Sequence, residues 1–458
     1  MDSRIAEMAE KAAEFLDSCR REILVISHYD CDGISSAVIA NQMLERAGKD
    51  FVQVFVDEIT EEKLEEVLDE NGQEVVLFTD IGSGQLDTVT ELTEEREVVI
   101  ADHHEVEESD EDVSFHVNPM LIEEGEVIDG GTEVSGAGVT YLVASSMSED
   151  NQDLLKYALL GATGDIQKKD NEFTGLNREF LEEARENDLI EVKNGLMLYG
   201  RRSKSLVRAL KYTTEPYMEG ISNDESGTVQ FLRKTGIDIR DDGDFRSLAD
   251  LSEAEEKKLI HGLIERGYEG VQQLIGTVYV MNNGWEIQEF SSLMNACGKL
   301  DKPKKALDIC IDGDFELAWD IKKEYGRKIS QYLSMIRRKK DDPSFVREME
   351  FGQMITAGEK INPNMIGTVS TICTKSDILE GPVVMGIAVK EEDFYKVSVR
   401  VKEEYEDEVE LNTLMEESCE KVGGKGGGHK MAAGGKIPRE ERDRFINIIE
   451  NSLKQIKE

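Results

Sequence analysis

The sequence predicts an α/β protein with an N-terminal parallel-sheet domain, a helical connector with an insertion, and a smaller C-terminal α/β domain. Short hydrophobic runs alternate with helical patterns over the first third of the chain. A long middle region is mainly helical in pattern, and strand-like runs return only after Pro343. The 458 residues also suit about three domains. We expect these domains at residues 1–190, 191–340 and 341–458.

The N-terminal domain is predicted from its periodicity. Apolar residues at helical spacing indicate a first helix over residues 3–20, and strands and helices then alternate. The predicted strands are residues 23–27, 51–56, 75–79 and 98–101, and the predicted helices are residues 35–47 and 61–68. This alternation favours a parallel sheet covered on both faces, with ligands gathering at the carboxyl ends of the strands.

The first strand runs into the segment HYDCDG, in which His28, Asp30 and Asp32 alternate before Gly33 turns the chain into a helix. Residues two apart on an extended backbone face the same way, so these three side chains could converge on one point, with Cys31 facing away. One nitrogen and several carboxylate oxygens suit Mn²⁺ or Mg²⁺ better than zinc. The alternative is a polar strand end followed by a capped helix.

Further acidic and imidazole residues follow later elements. Asp80 follows one predicted strand, the run Asp102, His103 and His104 follows the next, and Asp165 ends the apolar stretch LLKYALLGATGD. An isolated aspartate after a strand is commonly a turn former or a helix cap. Because such placements recur at successive element ends, we predict a shared metal site at this edge of the sheet.

The middle region has a mainly helical pattern from residue 190 to about 335 and no identifiable reaction chemistry. Before it, SGAG at residues 135–138 opens a helix to about residue 147, where close packing is favoured over phosphate binding. Basic clusters lie at Arg201, Arg202 and Lys204; Lys302, Lys304 and Lys305; Lys322, Lys323, Arg327 and Lys328; and Arg337, Arg338, Lys339 and Lys340. Such clusters commonly form solvated helix faces, but here they are also the places where a polyanion is tolerated. Tyr325 and Tyr332 are the neighbouring aromatics suited to base stacking.

Charge and cysteine usage limit the possible classes of protein. A formal net charge of −42 disfavours nucleic-acid binding over the whole surface and is typical of high internal salt, so we expect a salt-tolerant source. The six cysteines are scattered without CxxC spacing, which disfavours disulfides and structural zinc. No apolar run approaches ~20 residues and no secretory leader is evident, so we expect a soluble cytoplasmic protein.

The C-terminal domain has a distinctive glycine-rich segment. Residues 383–389 and 395–401 predict a hairpin, and residues 411–421 and 440–456 predict helices. Between these helices lies GGKGGGHKMAAGG, whose bare backbone amides could approach an anion beside His429, Lys425 and Lys430. We interpret it as a binding loop rather than a flexible linker, because ordered-looking sequence resumes at once.

Together these motifs resemble the DHH phosphoesterase superfamily. HYDCDG, FTDIG, ADHHE, GATGD and the glycine-rich GGKGGGHK occur in the family order between residues 27 and 436. The domains predicted above would then be a DHH domain, a connector and a DHH-associated domain. The length, the helical middle region and the lack of a sensor or membrane segment resemble the archaeal RecJ-like nucleases, including the type associated with the GINS replication complex.

The resemblance implies two Mn²⁺ ions, or Mg²⁺ in their place, and a role for each motif residue. The first ion would be held by His28, Asp30 and Asp80, and the second by Asp32, Asp80, His103 and Asp165, with Asp80 bridging. His104 would face the scissile phosphate, and Asp102 would orient the imidazoles. The implied substrate-binding residues are Arg400, Gly426, Gly427, Gly428, His429 and Lys430, although Arg400 could equally be an outward-facing strand residue.

The implied activity is that of a two-metal exonuclease on single-stranded DNA or RNA, acting in replication or repair, with the strand held between the two domains. One alternative is a phosphodiesterase for short oligonucleotides or cyclic dinucleotides, against which the extra helical region argues. An inorganic pyrophosphatase is disfavoured by the spacing of His28 and Asp30. Another alternative is a replication scaffold that binds GINS or other replisome proteins with vestigial chemistry, against which the retained ligands argue.

Overall fold

A computed structural model describes residues 3–109, 113–122, 128–213, 216–268, 270–376, 378–391, 393–405 and 409–456. The chain forms two compact units, Met1–Trp319 and Asp320–Glu458. The first contains a parallel sheet and a largely helical middle region, and the second contains a separate mixed sheet. The predicted α/β class is therefore confirmed.

The N-terminal sheet has five parallel strands. They are β1 (Ile23–His28), β2 (Phe51–Val56), β3 (Val75–Thr79), β4 (Glu97–Ala101) and β5 (Phe115–Val117). Their order in space is β2-β1-β3-β4-β5, so the chain crosses from one side of β1 to the other. In an open parallel sheet such a reversal leaves a crevice at the carboxyl ends of the strands. The four predicted strands match β1 to β4 within one residue at either end.

The described helices that accompany this sheet are α1 (Ser3–Ser18), α2 (Cys31–Arg46), α3 (Glu61–Glu70), α4 (Leu86–Leu92), α5 (Gly136–Met147), α6 (Leu155–Gly164) and α7 (Gly175–Glu186). Helices α2, α5 and α6 pack against one another, and α2 is buried along most of its length. Helix α2 begins four residues before the predicted start, because Asp30 caps it. A short hairpin, β6 (Lys168–Lys169) with β7 (Glu172–Phe173), joins α6 to α7.

The middle region contains a strand pair that the helical prediction missed. Strands β8 (Ile190–Leu196) and β11 (Ile275–Met281) pair antiparallel along their whole length. The elements between them are α8 (Leu206–Lys211), α9 (Glu225–Thr235), β9 (Arg240–Asp241), β10 (Asp244–Phe245) and α10 (Glu253–Glu265). Three helices follow: α11 (Ile287–Lys299), α12 (Pro303–Ile311) and α13 (Phe315–Lys339). The prediction failed here because the partner strands are separated by an inserted module with its own core around Leu206, Phe231 and Leu259.

The second unit contains a six-stranded mixed sheet in the order β12-β13-β14-β15-β17-β16. Its strands are β12 (Val346–Met349), β13 (Gly352–Gly358), β14 (Val383–Val389), β15 (Phe394–Val401), β16 (Lys425–His429) and β17 (Ala432–Pro438). Its helices are α14 (Pro363–Lys375), α15 (Leu411–Glu420) and α16 (Arg442–Ile456). The predicted hairpin corresponds to β14 and β15, which pair antiparallel.

The glycine-rich segment is an edge strand, not the predicted loop. Strand β16 pairs antiparallel with β17, from Lys425 opposite Lys436 to His429 opposite Ala432. Glycine is needed at position 426 because a Cβ there would lie 2.5 Å from the Met415 carbonyl oxygen of α15. The glycines thus let a helix approach the strand closely, a packing role that the composition did not reveal.

All six cysteines are free thiols. Among the described helices, none combines the length and apolar character needed to cross a membrane.

Candidate metal centre

Polar side chains after β1, β3 and β4 converge at the carboxyl ends of the N-terminal sheet. They form one group of His28, Asp30 and Asp80, and a second group of Asp32, His103 and Asp165, each with ligand atoms within 4.8 Å of one another. Asp80 faces both groups: its Oδ2 lies 3.7 Å from His28 Nδ1, and its Oδ1 lies 3.3 Å from His103 Nε2. One carboxylate therefore stands between two sets of potential metal ligands.

The prediction that His28, Asp30 and Asp32 converge on a single point was wrong. Only His28 lies in the strand. Asp30 caps α2 and accepts hydrogen bonds from the amides of Asp32 and Gly33 at 3.1 Å, while it remains 3.1 Å from His28 Nδ1. The helical turn carries Asp32 into the other group, 3.6 Å from His103 Nε2. Asp30 thus caps the helix, as the alternative interpretation of this segment proposed, and also belongs to a group of potential metal ligands.

Helix α5 fixes the orientation of Asp32. The Asp32 carboxylate is buried and accepts hydrogen bonds from the backbone amides of Gly136 at 2.8 Å and Ala137 at 3.0 Å. The amides of the SGAG segment therefore hold a carboxylate of the chain itself. Cys31 is also buried, and its Sγ lies 3.6 Å from the Leu160 carbonyl oxygen, away from the ligand groups.

Asp80 is the most constrained of these residues. It is 2% exposed and has a φ of 58°, in the left-handed region that non-glycine residues seldom adopt. Its buried Oδ1 has no hydrogen-bond partner among the described residues, since His103 Nε2, although close, is outside hydrogen-bonding geometry. A buried carboxylate oxygen without a donor is costly, and a bound cation would satisfy it. The residues present therefore fit a divalent cation with oxygen and nitrogen ligands.

The second group depends on two residues that the sequence reasoning missed. His103 Nδ1 lies 2.6 Å from the Gly130 carbonyl oxygen, so the ring can donate there and keep Nε2 as the nitrogen facing the carboxylates. The buried Gln167 side chain donates to that same oxygen at 2.8 Å and to Asp165 Oδ2 at 2.9 Å. Gln167 could have been suspected only from its position two residues after Asp165.

Asp102 holds one imidazole and not both. It is fully buried, and its Oδ1 accepts hydrogen bonds from His104 Nδ1 at 2.7 Å and from the His103 backbone amide at 2.8 Å. Its Oδ2 accepts from the Ser83 amide at 3.0 Å. The His104 side chain is 54% exposed, so its other ring nitrogen is the one available to a substrate. The His103 ring, by contrast, is held by Gly130.

Burial and neighbouring charges shift the pKa values of the candidate ligands. Burial raises the pKa of Asp32, and Asp80 raises it further. Burial and the nearby Asp80 and Asp30 raise the pKa of Asp165 to about 6 against the opposing effect of His103. Burial opposes the charged form of His28, but Asp30 and Asp80 outweigh it and raise the pKa of that imidazole. Crowded carboxylates of this kind favour a bound cation.

Two of the predicted substrate-binding residues, Arg400 and His429, share one face of the second unit's sheet. Arg400 on β15 donates to Thr371 Oγ1 at 2.9 Å and to the Ala433 carbonyl oxygen at 3.2 Å. Arg400 pairs with Ala432, which in turn pairs with His429, so these residues form one row across three strands. Adjacent strands are ~4.8 Å apart, so Arg400 and His429 are separated by about 10 Å on the same face. Gly426, Gly427 and Gly428 precede His429 in β16, and Lys430 follows it in the turn.

Three family models match the chain. The N-terminal domain of the DHH family matches residues 22–164, the DHH-CID domain matches residues 198–274, and the DHHA1 domain matches residues 350–455. The chain belongs to the DHH superfamily. The first match contains five of the six candidate ligands together with Asp102 and His104, and Asp165 lies one residue beyond its end. The third match contains all the predicted substrate-binding residues.

Several individual proteins are similar to this chain over most of its length. The DHH chain is 26% identical over 442 residues to the uncharacterized protein MJ0831 of Methanocaldococcus jannaschii, covering 94% of this chain and 93% of that protein. RecJ from Thermus thermophilus, solved with Mn²⁺, has a TM-score of 0.56 at 17% identity over 98% of this chain and 55% of its own. Exonuclease RecJ bound to manganese has a TM-score of 0.52 at 17% identity, covering 97% and 94%. CDC45 from Entamoeba histolytica has a TM-score of 0.57 at 12% identity, covering 99% of both chains.

These similarities show a RecJ-like fold within a superfamily of phosphoesterases. They also show that this chain spans about half of the Thermus RecJ. The same fold is shared with CDC45.

Proposed function

We propose that this DHH protein is a divalent-metal-dependent exonuclease that hydrolyses phosphodiester bonds in single-stranded DNA or RNA. The observation that carries the proposal is the position of Asp80, whose two carboxylate oxygens face different ligand groups. A bridging carboxylate between two cation sites is the arrangement used in two-metal phosphoryl transfer.

The two groups would hold two Mn²⁺ ions, with Mg²⁺ as the alternative. His28, Asp30 and Asp80 would hold one ion, and Asp32, Asp80, His103 and Asp165 would hold the other. When bound, such ions would supply an acidified water and positive charge for the phosphate oxygens. No nucleophilic side chain is then required.

The remaining residues position the reaction. Asp102 holds His104 Nδ1 at 2.7 Å, so His104 Nε2 would donate a hydrogen bond to a phosphate oxygen as negative charge develops there. Gly130 and Gln167 keep His103 and Asp165 in place. In the second unit, the row of Arg400 and His429, with Gly426, Gly427, Gly428 and Lys430, would bind a phosphate of the substrate.

Two other functions have observations in their favour. The likeness to CDC45 favours a replication scaffold, with GINS or other replisome proteins as partners and no hydrolysis. The presence of a DHH domain is also compatible with a phosphodiesterase that hydrolyses short oligonucleotides or cyclic dinucleotides. The proposed nuclease differs from the scaffold by its hydrolysis and from the short-oligonucleotide enzyme by its action on long strands. We place its role in replication or repair of DNA.

The decisive experiment is product analysis on end-labelled DNA and RNA strands of about 20 nucleotides and on dinucleotides, with Mn²⁺ or Mg²⁺. We expect stepwise release of mononucleotides from long strands, and losses of at least about a hundredfold in Asp32→Ala and Asp165→Ala. Asp69→Asn, on the exposed side of α3, is the matched control and should keep the wild-type rate. Equal rates in all variants would overturn the metal model. Cleavage of dinucleotides alone would favour the short-oligonucleotide enzyme, and no cleavage by the wild type would favour the scaffold.

A further inference from the structure

One stretch of this acidic chain contains no acidic residue. The sequence has 96 Asp and Glu in 458 residues, about one in five, yet residues 192–214 contain none and include six Lys or Arg. The stretch covers the end of β8, helix α8 and the loops beside them. Against a net charge of −42, it is a place where a polyanion meets little repulsion.

Some of its cations have structural roles. Arg201 is buried and paired with Glu256 at 2.7 Å, and Arg202 lies against the Trp285 ring at 5.7 Å. Lys211 forms an ion pair of 2.9 Å with Glu225. Lys204 lies beside two exposed aromatic rings, and Arg208 is exposed on α8.

Two exposed tyrosines flank Lys204. Tyr199 is 56% exposed and Tyr212 is 55% exposed, which is unusual for large aromatic residues. Lys204 Nζ lies 4.6 Å from the centre of the Tyr199 ring and 5.6 Å from that of Tyr212, so the two ring centres are at most about 10 Å apart. At ~3.4 Å per stacked nucleotide, rings no farther apart than this are within reach of two or three consecutive bases of one strand. We call Tyr199, Lys204, Arg208 and Tyr212 the tyrosine platform.

Tyr199 of the platform and the hairpin that follows the candidate ligand Asp165 line one cavity of the first unit. Lys168, three residues after the candidate ligand Asp165, donates to Gln288 Oε1 at 3.1 Å. Gln288 and Tyr199 line the same cavity, which has a volume of about 140 Å³ and is also lined by Asn171 and Met197. Asn171, in the β6–β7 hairpin, donates to the Thr277 carbonyl oxygen of β11 at 2.7 Å. The hairpin that follows Asp165 and Tyr199 of the platform thus line one cavity.

We propose that the tyrosine platform binds the unpaired bases of a single-stranded nucleic acid and so holds the part of the strand that lies away from the metal centre. Aromatic faces for stacking, interleaved with cations for the backbone, are the features that bind single strands without sequence preference. The absence of acidic residues from the segment 192–214 itself, in so acidic a protein, favours a polyanion there. The inference rests on the proposed function and adds a second contact region to its substrate.

The test measures binding to the full-length protein without metal, in EDTA, so that no hydrolysis occurs. Fluorescence anisotropy would follow labelled DNA and RNA strands of about 20 nucleotides. We expect the double variant Tyr199→Ala with Tyr212→Ala to bind at least about tenfold more weakly, because it removes both rings on which bases would stack. The pair Tyr199→Phe with Tyr212→Phe keeps the rings and should bind within about twofold of the wild type. Lys204→Gln should reduce the salt dependence of binding by about one counterion.

Tyr217→Ala is the matched control, since Tyr217 is 61% exposed in the same module but lies outside the platform. It should bind as the wild type does. Two results would overturn the proposal: no binding by the wild type, or wild-type affinity in the double alanine variant. Wild-type affinity in that variant would favour another occupant of the surface, such as a protein. If the wild type binds strands with the expected variant pattern but does not hydrolyse them with Mn²⁺, the platform stands and the proposed nuclease fails.

Discussion

At the scale of single residues, Asp102 sets the properties of His104. Burial would raise the pKa of Asp102, but its hydrogen bond and charge interaction with His104 outweigh burial and keep that pKa well below the ordinary value. Burial in turn opposes a charged His104, yet the hydrogen bond and charge of Asp102 raise the pKa of the imidazole. The His104 ring therefore stays protonated on both nitrogens to a higher pH than an isolated histidine does. Its Nε2 thus remains a hydrogen-bond donor over that wider range.

We predict that Asp102→Asn lowers the pKa of His104, because the variant keeps a similar shape and loses the negative charge. Strand hydrolysis should fall about 10- to 100-fold, as is usual when a partner that orients a histidine is removed. The His104 pKa would be measured by NMR titration and the rate on a labelled strand. Asp87→Asn, an exposed aspartate on α4, serves as the control. An unchanged His104 pKa in Asp102→Asn would contradict this account.

At the scale of elements, glycines allow two helices, α5 and α6, to pack closely against the candidate ligands. A Cβ on Gly161 of α6 would lie 2.1 Å from Asp32 Oδ1 and 2.6 Å from the Ala137 Cβ of α5. A Cβ on Gly136 of α5 would lie 2.4 Å from Asp80 Oδ1. Real Cβ atoms do not come so close, so the absence of these side chains lets α5 and α6 pack directly against the carboxylates.

We predict that Gly161→Ala destabilises the protein by about 1–3 kcal/mol, the usual cost of overpacking a dense core. It should also weaken Mn²⁺ binding, because the added methyl group displaces the Asp32 carboxylate. Urea unfolding and calorimetric titration with Mn²⁺ would measure the two effects. Gly72→Ala is the control, since nothing lies within 4 Å of a Cβ at that position. Wild-type stability and metal affinity in Gly161→Ala would show that α6 can move away from Asp32 at no cost.

At the scale of the whole molecule, the metal centre concentrates negative charge in a protein that already carries −42. In the metal-free protein, the pKa of Asp165 rises from 3.8 to about 6, so the folded chain retains a proton that the unfolded chain releases. This contribution to stability is present below pH ~4 and is lost as the pH rises through about 6. A cation bound above that pH would compensate for the lost proton.

We predict that Mn²⁺ raises the melting temperature strongly at about pH 7.5 and weakly at about pH 5.5, because metal and protons compete for the same carboxylates. A single site at about a hundred times its Kd contributes about 2.7 kcal/mol to the free energy of unfolding. Thermal melts with and without Mn²⁺ at both pH values would measure this difference. Asp165→Asn should lose most of the effect, whereas Asp170→Asn, an exposed hairpin residue, should retain it. Equal metal stabilisation at the two pH values would contradict the competition.

The sequence by itself determined the class of the fold, the strands β1 to β4 and the positions at which polar residues follow them. These features are local, since hydrophobic periodicity marks an element and its end without reference to partners. The sequence also predicted the residues of both ligand groups. The order of the motifs and their positions at the ends of strands and helices indicate that His28, Asp80, His103 and Asp165 lie in one region. Their functional roles remain predictions.

The family resemblance already implied two ligand sets, but only the tertiary structure decided what separates these residues and what supports them. Asp30 and Asp32 separate because α2 begins between them, and Gln167 and Gly130 join the site through contacts between distant segments. The pairing of β8 with β11 and the packing of α15 on β16 are likewise non-local. Such pairings depend on the shape of the folded chain, and a one-dimensional pattern carries no information about which distant surfaces will meet.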